Sequence, residues 1–125
     1  MPKYTSTGNQ EIKEYVLLEK GEHTLEIVDA VEKMSSNGNE MIVLTLVKDR
    51  SKVFDKLVFT PKAFFKIDQV LEAMGEAVNK GEERDITRFD FLGKSVKAMI
   101  DHEVNDGKTY PRIKYYIKKG ADTPF

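Results

Sequence analysis

Near the end of the 125-residue chain, Tyr110, Arg112, Lys114, Tyr116 and Lys118 stand at alternate positions. Side chains two apart on a β-strand share a face, so this spacing lays rings and cations along one row. Rings stack on bases and cations track phosphates, which together make the chemistry of single-stranded nucleic-acid binding. Arg50, Lys52, Phe54 and Lys56 form a second set of the same character earlier in the chain.

Other strings look chemical and fail on inspection. Gly93-Lys94-Ser95 and Gly107-Lys108-Thr109 have the ending of a phosphate-binding loop, but the glycine required upstream is Arg88 in one case and His102 in the other. Asp101, Glu103 and Asn105 have the alternate spacing of a calcium loop. Asp106 stands where that loop needs glycine, and Arg112 where its bidentate glutamate belongs. His23 and His102 have no nearby ligating partner. Without cysteine there is no disulfide, thiolate metal site or thiol nucleophile. No catalytic residue, metal or cofactor is expected, and the chain reads as a binder rather than an enzyme.

The elements that must carry these rows follow from periodicity. Glu22 to Lys33 reads as a first strand, and Ser35-Ser36-Asn37-Gly38-Asn39 as a turn. Met41 to Lys48 is a second strand with Ile42, Leu44 and Leu46 on its buried face. After a charged turn over Asp49 to Lys52, Val53 to Phe59 is a third. Its faces are Val53, Asp55, Leu57 and Phe59 against Phe54, Lys56 and Val58, so either orientation buries a charge unless a bulge intervenes. Thr60 as N-cap, Pro61 at the first helical position and Gly75 as C-cap bracket a helix from about Pro61 to Met74. Phe64, Ile67, Leu71 and Met74 form its core stripe, with Phe65 off it. Glu76 to Asp90 reads as loop. Lys94 to Val104 is a fourth strand with Val96, Ala98 and Ile100 inward, Asn105-Asp106-Gly107 a hairpin turn, and Thr109 to Lys118 the fifth strand. In that last strand Ile113, Tyr115 and Ile117 are expected inward and the ring-and-cation row outward, with Pro111 marking an edge or bulge.

Three strands, a helix and a two-strand hairpin is the order of a mainly β, five-stranded OB-fold barrel with one α-helix between strands three and four. Residues 1–120 form that single domain, including an N-terminal extension over 1–21, and 121–125 are a short tail. Composition agrees: 40% apolar and 33% charged residues describe an ordinary globular domain. The net charge of -1 conceals blocks of -4, +4, -5 and +4 over 1–40, 41–67, 68–106 and 107–125. In an OB barrel strand five neighbours strand three, so both basic blocks converge on one side and suit a polyanion. No apolar run is long enough to span a bilayer, and the chain reads as intracellular and unanchored.

In their order, several strings resemble small bacteriophage single-stranded-DNA-binding proteins of the OB-fold type, associated with replication or recombination. They are Gly21-Glu22-His23 leading to Ile27-Val28-Asp29-Ala30, Ser36-Asn37-Gly38-Asn39 before Met41-Ile42-Val43-Leu44, and Asp55, Leu57 and Phe59. Lys66-Ile67, Gly75, Leu92-Gly93-Lys94 and Asp106-Gly107-Lys108 continue the series. The resemblance implies binding of single-stranded DNA without strong sequence preference in the host cytoplasm. A homodimer is the expected assembly. The competing expectation is an OB module that docks replication or recombination enzymes with little DNA binding. Its natural handle is the tail, where Asp122, Pro124 and Phe125 look like the acidic Pro-Phe tip of bacterial single-stranded-DNA-binding proteins, with one acid where that tip has several.

Overall fold

The computed structural model describes residues 16–79 and 81–120. The tail residues Asp122, Pro124 and Phe125 and most of the N-terminal extension lie outside them. Strands β1 (Gly21–Met34), β2 (Glu40–Lys48), β3 (Ser51–Val58), β4 (Ser95–Asn105) and β5 (Lys108–Ile117) form one antiparallel sheet in the order β3-β2-β1-β4-β5. Helix α1 (Phe64–Ala73) lies between β3 and β4. Among the described residues no helix is long and apolar enough to cross a membrane.

The sheet turns on short-range sequence signals. Asp49 and Arg50 alone join β2 to β3, with Asp49 at φ 53°. Asp106 and Gly107 join β4 to β5 with φ of 52° and 76°, the positive pair that a twisted two-residue hairpin demands. The inward faces read as expected over β2 (Ile42, Leu44, Leu46) and β4 (Val96, Ala98, Ile100), all buried. With Leu25, Ile27, Ala30, Val53, Leu57 and Phe91 they make one continuous core.

Helix α1 covers that core with Ile67, Val70, Leu71 and Ala73. Phe64, expected on this stripe, is 45% exposed because it opens the helix at the rim of the core, across a cavity from Val78 and Ile86. Pro61–Ala63 are a 3-10 turn, so the α-helix starts later than the sequence suggested. Thr60 precedes that turn in an extended conformation, but its hydroxyl makes no capping bond. At the other end Gly75, at φ 93°, closes the helix as expected. The Glu76 N–H donates to the Leu71 carbonyl and the Gly75 N–H to that of Glu72, both at 3.0 Å, which satisfies the last carbonyls.

The two ends of the strand order, β3 and β5, also lie against each other. No backbone ladder joins them among the described residues; side chains do. Asp55 on β3 points inward and accepts a 2.6 Å hydrogen bond from the Tyr116 hydroxyl on β5, while Lys66 of α1 donates to its other oxygen. Gln69 of α1 accepts the Tyr116 N–H at 3.3 Å, so the helix binds the same seam from below.

A hydrogen bond to a carboxylate contributes about 1.5–3 kcal/mol, so Tyr116→Phe should lower unfolding free energy by about that much in urea denaturation. Burial first, then the Asp55 charge and hydrogen bond, push the Tyr116 phenol well above its ordinary value of 10.0. The unfolded chain releases this proton near pH 10. Stability from the bond is therefore complete below about pH 10 and declines as pH rises toward the folded value. In Tyr116→Phe that alkaline component should disappear.

Candidate nucleic-acid interface

The outward face of β3 follows from where its charge is buried. The β2–β3 register runs unbroken from Met41 opposite Val58 to Lys48 opposite Ser51, so no bulge relieves the alternation. Val53, Asp55 and Leu57 point inward, and Asp55 is the buried charge, its side chain only 10% exposed. Phe54 and Lys56 consequently face outward, Phe54 with 61% of its surface exposed. The Lys52 ammonium sits 5.6 Å from the centroid of the Phe54 ring, a cation–π contact. Arg50, exposed in the β2–β3 turn, stands at the end of this row.

The outward face continues across β2 and β1. Phe54 pairs with Thr45 and Thr45 with Asp29; Lys56 pairs with Val43 and Val43 with Val31; Val58 pairs with Met41 and Met41 with Lys33. The floor is therefore valine, threonine and methionine, half-buried, with Lys52 and Lys56 along β3 and Lys33 beside the exposed acids Glu26 and Asp29 along β1.

On β5 the expected alternation breaks. Met99 pairs with Tyr115 but Ile100 pairs with Ile113, leaving Lys114 unpaired in a bulge. The extra residue reverses the phase of everything after it. Ile113 and Tyr116 point inward, and Lys114 and Tyr115 outward. Tyr116 thus leaves the outward row in which the sequence placed it, with 5% of its surface exposed, and Tyr115 takes its place at 41%. Tyr110, Arg112 and Lys114 are exposed as expected, and Lys118 is exposed just beyond the strand. Tyr115 was hidden from sequence reasoning by the bulge. The one signal that could have found it was the charge β3 must bury, because an inward Asp55 needs donors for both oxygens and a displaced tyrosine supplies one of them.

The cations are not equivalent. Arg112 Nη2 lies 3.6 Å from Asp101 Oδ2, and Lys20 Nζ 3.9 Å from Oδ1. The Asp101 carboxyl is held below the ordinary carboxylate range, first by the His102 backbone N–H at 2.7 Å, then by Lys20, Arg112 and Lys114, against the opposing effect of burial. Arg112 is therefore partly neutralised in place. Because Asp55 and Tyr116 meet on the inner side of β3 and β5, their outward neighbours Phe54, Lys56, Lys114 and Tyr115 flank the same seam outside. Tyr110 lies farther out, where both strands of the β4–β5 hairpin are exposed over 103–110.

Both histidines serve structure. The Nε2 of His23 bonds the Glu19 carbonyl at 2.8 Å and that of His102 the Leu18 carbonyl at 2.7 Å, so each ring carries its proton there. Lys48 Nζ donates to the remaining His23 nitrogen at 3.0 Å. Together with the Val16 N–H on the Arg50 carbonyl, they pin the segment before β1 onto the sheet. Among the described residues no group of three or more histidines and acids is placed to hold a metal ion.

Fold and surface define a small antiparallel β-protein that presents rings and cations on an open sheet face. The chain belongs to the family described as protein of unknown function (DUF669), which it matches over residues 5–124. No curated protein matches it.

The exchange of roles between adjacent tyrosines has a direct chemical readout. Under mild tetranitromethane treatment, peptide mass spectrometry should find Tyr110 and Tyr115 nitrated and Tyr116 unmodified until the protein is unfolded. Nitration of Tyr116 in the native protein would contradict the bulge.

Proposed function

We propose that the protein is an OB-fold single-stranded-DNA-binding protein that holds DNA without strong sequence preference and without catalysis. The strand order, the helix between β3 and β4, and the meeting of β3 with β5 all suit a barrel of that type. In such a barrel, nucleic acid runs over strands two and three, which here present Phe54, Lys52 and Lys56 above a half-buried valine floor. The observation that carries the reading is the pairing of exposed rings with cations on both sides of the β3–β5 seam: Phe54 with Lys52 and Lys56, Tyr115 with Lys114. An exposed ring costs solvation and gains little unless something stacks on it; a neighbouring cation selects an anionic partner. The role in phage replication or recombination, in the host cytoplasm, rests on the family resemblance of the sequence, as does the homodimer.

Fluorescence anisotropy of labelled single-stranded DNA, duplex DNA and single-stranded RNA at two salt concentrations tests this reading. Single-stranded DNA should bind best, and added salt should weaken it. Phe54→Ala and Tyr115→Ala should each cost about 1–3 kcal/mol of affinity, whereas folded Tyr116→Phe should bind like wild type. Absence of binding at low salt would overturn the proposal and leave a protein-docking module as the reading to pursue.

A further inference from the structure

Helix α1 offers different sides to different neighbours. Val70 and Ala73 are buried, and Lys66 and Gln69 reach Asp55 and Tyr116 at the seam. Phe64, Ile67, Asp68 and Leu71, at spacings of three and four, share another side and form one wall of a groove. The facing wall is the 77–86 segment with Val78 and Ile86, and Phe59 lines the groove just beyond β3. Its volume is about 950 Å³, at the upper end of the size of ligand clefts.

The groove is held open by its own wall. Val78, Ile86 and Phe59 pack against the core, and the Arg84 guanidinium meets Glu76 at 2.9 Å, closing the segment on itself. Within it the Asn79 side-chain amide donates to the Glu82 carboxylate, and the Glu82 N–H to the Asn79 carbonyl, both at 3.1 Å. Ile67 and Leu71 are buried, whereas Phe64 stays half exposed beside them. That ring is apolar area which a partner side chain can remove from water.

The rim is acidic. Asp68 on the helix and Glu82, Glu83 and Asp85 on the segment are exposed. From 76 to 86 the sequence carries four acids against Lys80 and Arg84, and Arg84 is already engaged by Glu76. Past Phe59 and Ile86, which it shares, the groove adjoins a smaller cavity of about 540 Å³ at the hairpin end of β1 and β2. There Met34 and Met41 stand with Glu32, Glu40 and Lys33, so apolar lining and carboxylates continue together.

We propose that this groove docks a partner protein through a short segment in which large apolar side chains are flanked by lysine or arginine. Carboxylates along the rim repel nucleic acid, which separates this surface from the ring-and-cation face, and they select a basic segment over an acidic one. From Phe64 to Leu71 the helical wall spans roughly 10 Å, the length of about three extended residues, so a few side chains make the contact. The apolar ones supply affinity and the flanking cations selectivity.

Panning a displayed library of random peptides of about twelve residues on the full-length protein tests this, with the enriched peptide then synthesised and titrated by fluorescence anisotropy. Selection should enrich leucine, isoleucine, methionine or phenylalanine flanked by lysine or arginine. Phe64→Ala should weaken that peptide about tenfold. Joint Asp68→Asn, Glu83→Gln and Asp85→Asn should weaken it about fivefold at low salt and less at high salt. All four positions are exposed, so thermal melting of both variants should stay close to wild type. Enriched peptides that lack basic residues, or that bind both variants like wild type, overturn the proposal, as does a selection that enriches nothing. Self-association in sedimentation that Phe64→Ala abolishes also overturns it, by assigning the groove to a second copy. The assay contains no nucleic acid, so its result is independent of the DNA-binding reading.

Discussion

A buried carboxylate is the constraint on which the rest of the molecule depends. Asp55 sits on the inward face of β3 between Val53 and Leu57, and desolvating it without partners would cost several kcal/mol. Its two oxygens are served by Tyr116 from the far end of the sheet and by Lys66 from the helix, so one residue ties together β3, α1 and β5. The demand also reaches backward into geometry. Tyr116 can face inward only because a residue is added to β5 before it, so the Lys114 bulge and the buried hydrogen bond are two sides of one solution. Replacing the trio by apolar residues would be energetically tolerable in principle, but it would remove the directional contact that sets β5 against β3.

This explains what could be read from the residues and what could not. Strands β2 and β4 were legible because β2 alternates along its length and β4 does so from Val96 to Ile100, and the Asn105-Asp106-Gly107 turn because only a positive-φ pair closes so tight a hairpin. The helix was legible in outline from Pro61 and Gly75. Less local information decided the remainder. Val28 is skipped between Ile27 and Asp29 in the β1 ladder just as Lys114 is in β5, and neither residue is of a type that announces a bulge. The dilemma of β3, with a charge on either face, stated the problem correctly but not its answer, since the partners of Asp55 lie 11 and 61 residues away. Phe64 was misplaced because a heptad-like stripe does not say where the core ends.

The charges follow the same logic of division. Blocks of opposite sign along the chain are sorted by the fold into different duties: Lys66 is consumed by the seam, Arg112 is shared with Asp101, Lys48 is turned toward His23, and Lys56 and Lys114 remain on the outward surface. A tally of basic residues along the chain therefore overstates how much positive potential the sheet face presents, and the rings beside the remaining cations do more to define the surface than net charge does.

The hairpin of β4 and β5 reaches beyond the core with its outer strand at the end of the sheet order, a row of backbone groups that another chain could template on. Pro111 sits within that strand and offers no N–H, and Lys108, Arg112 and Lys114 place like charges along it. Two copies brought edge to edge would meet a missing donor and mutual repulsion. The arm is thereby protected against zipping into an aggregated ribbon, and copies that meet there must touch through side chains and loops, contacts that can be undone.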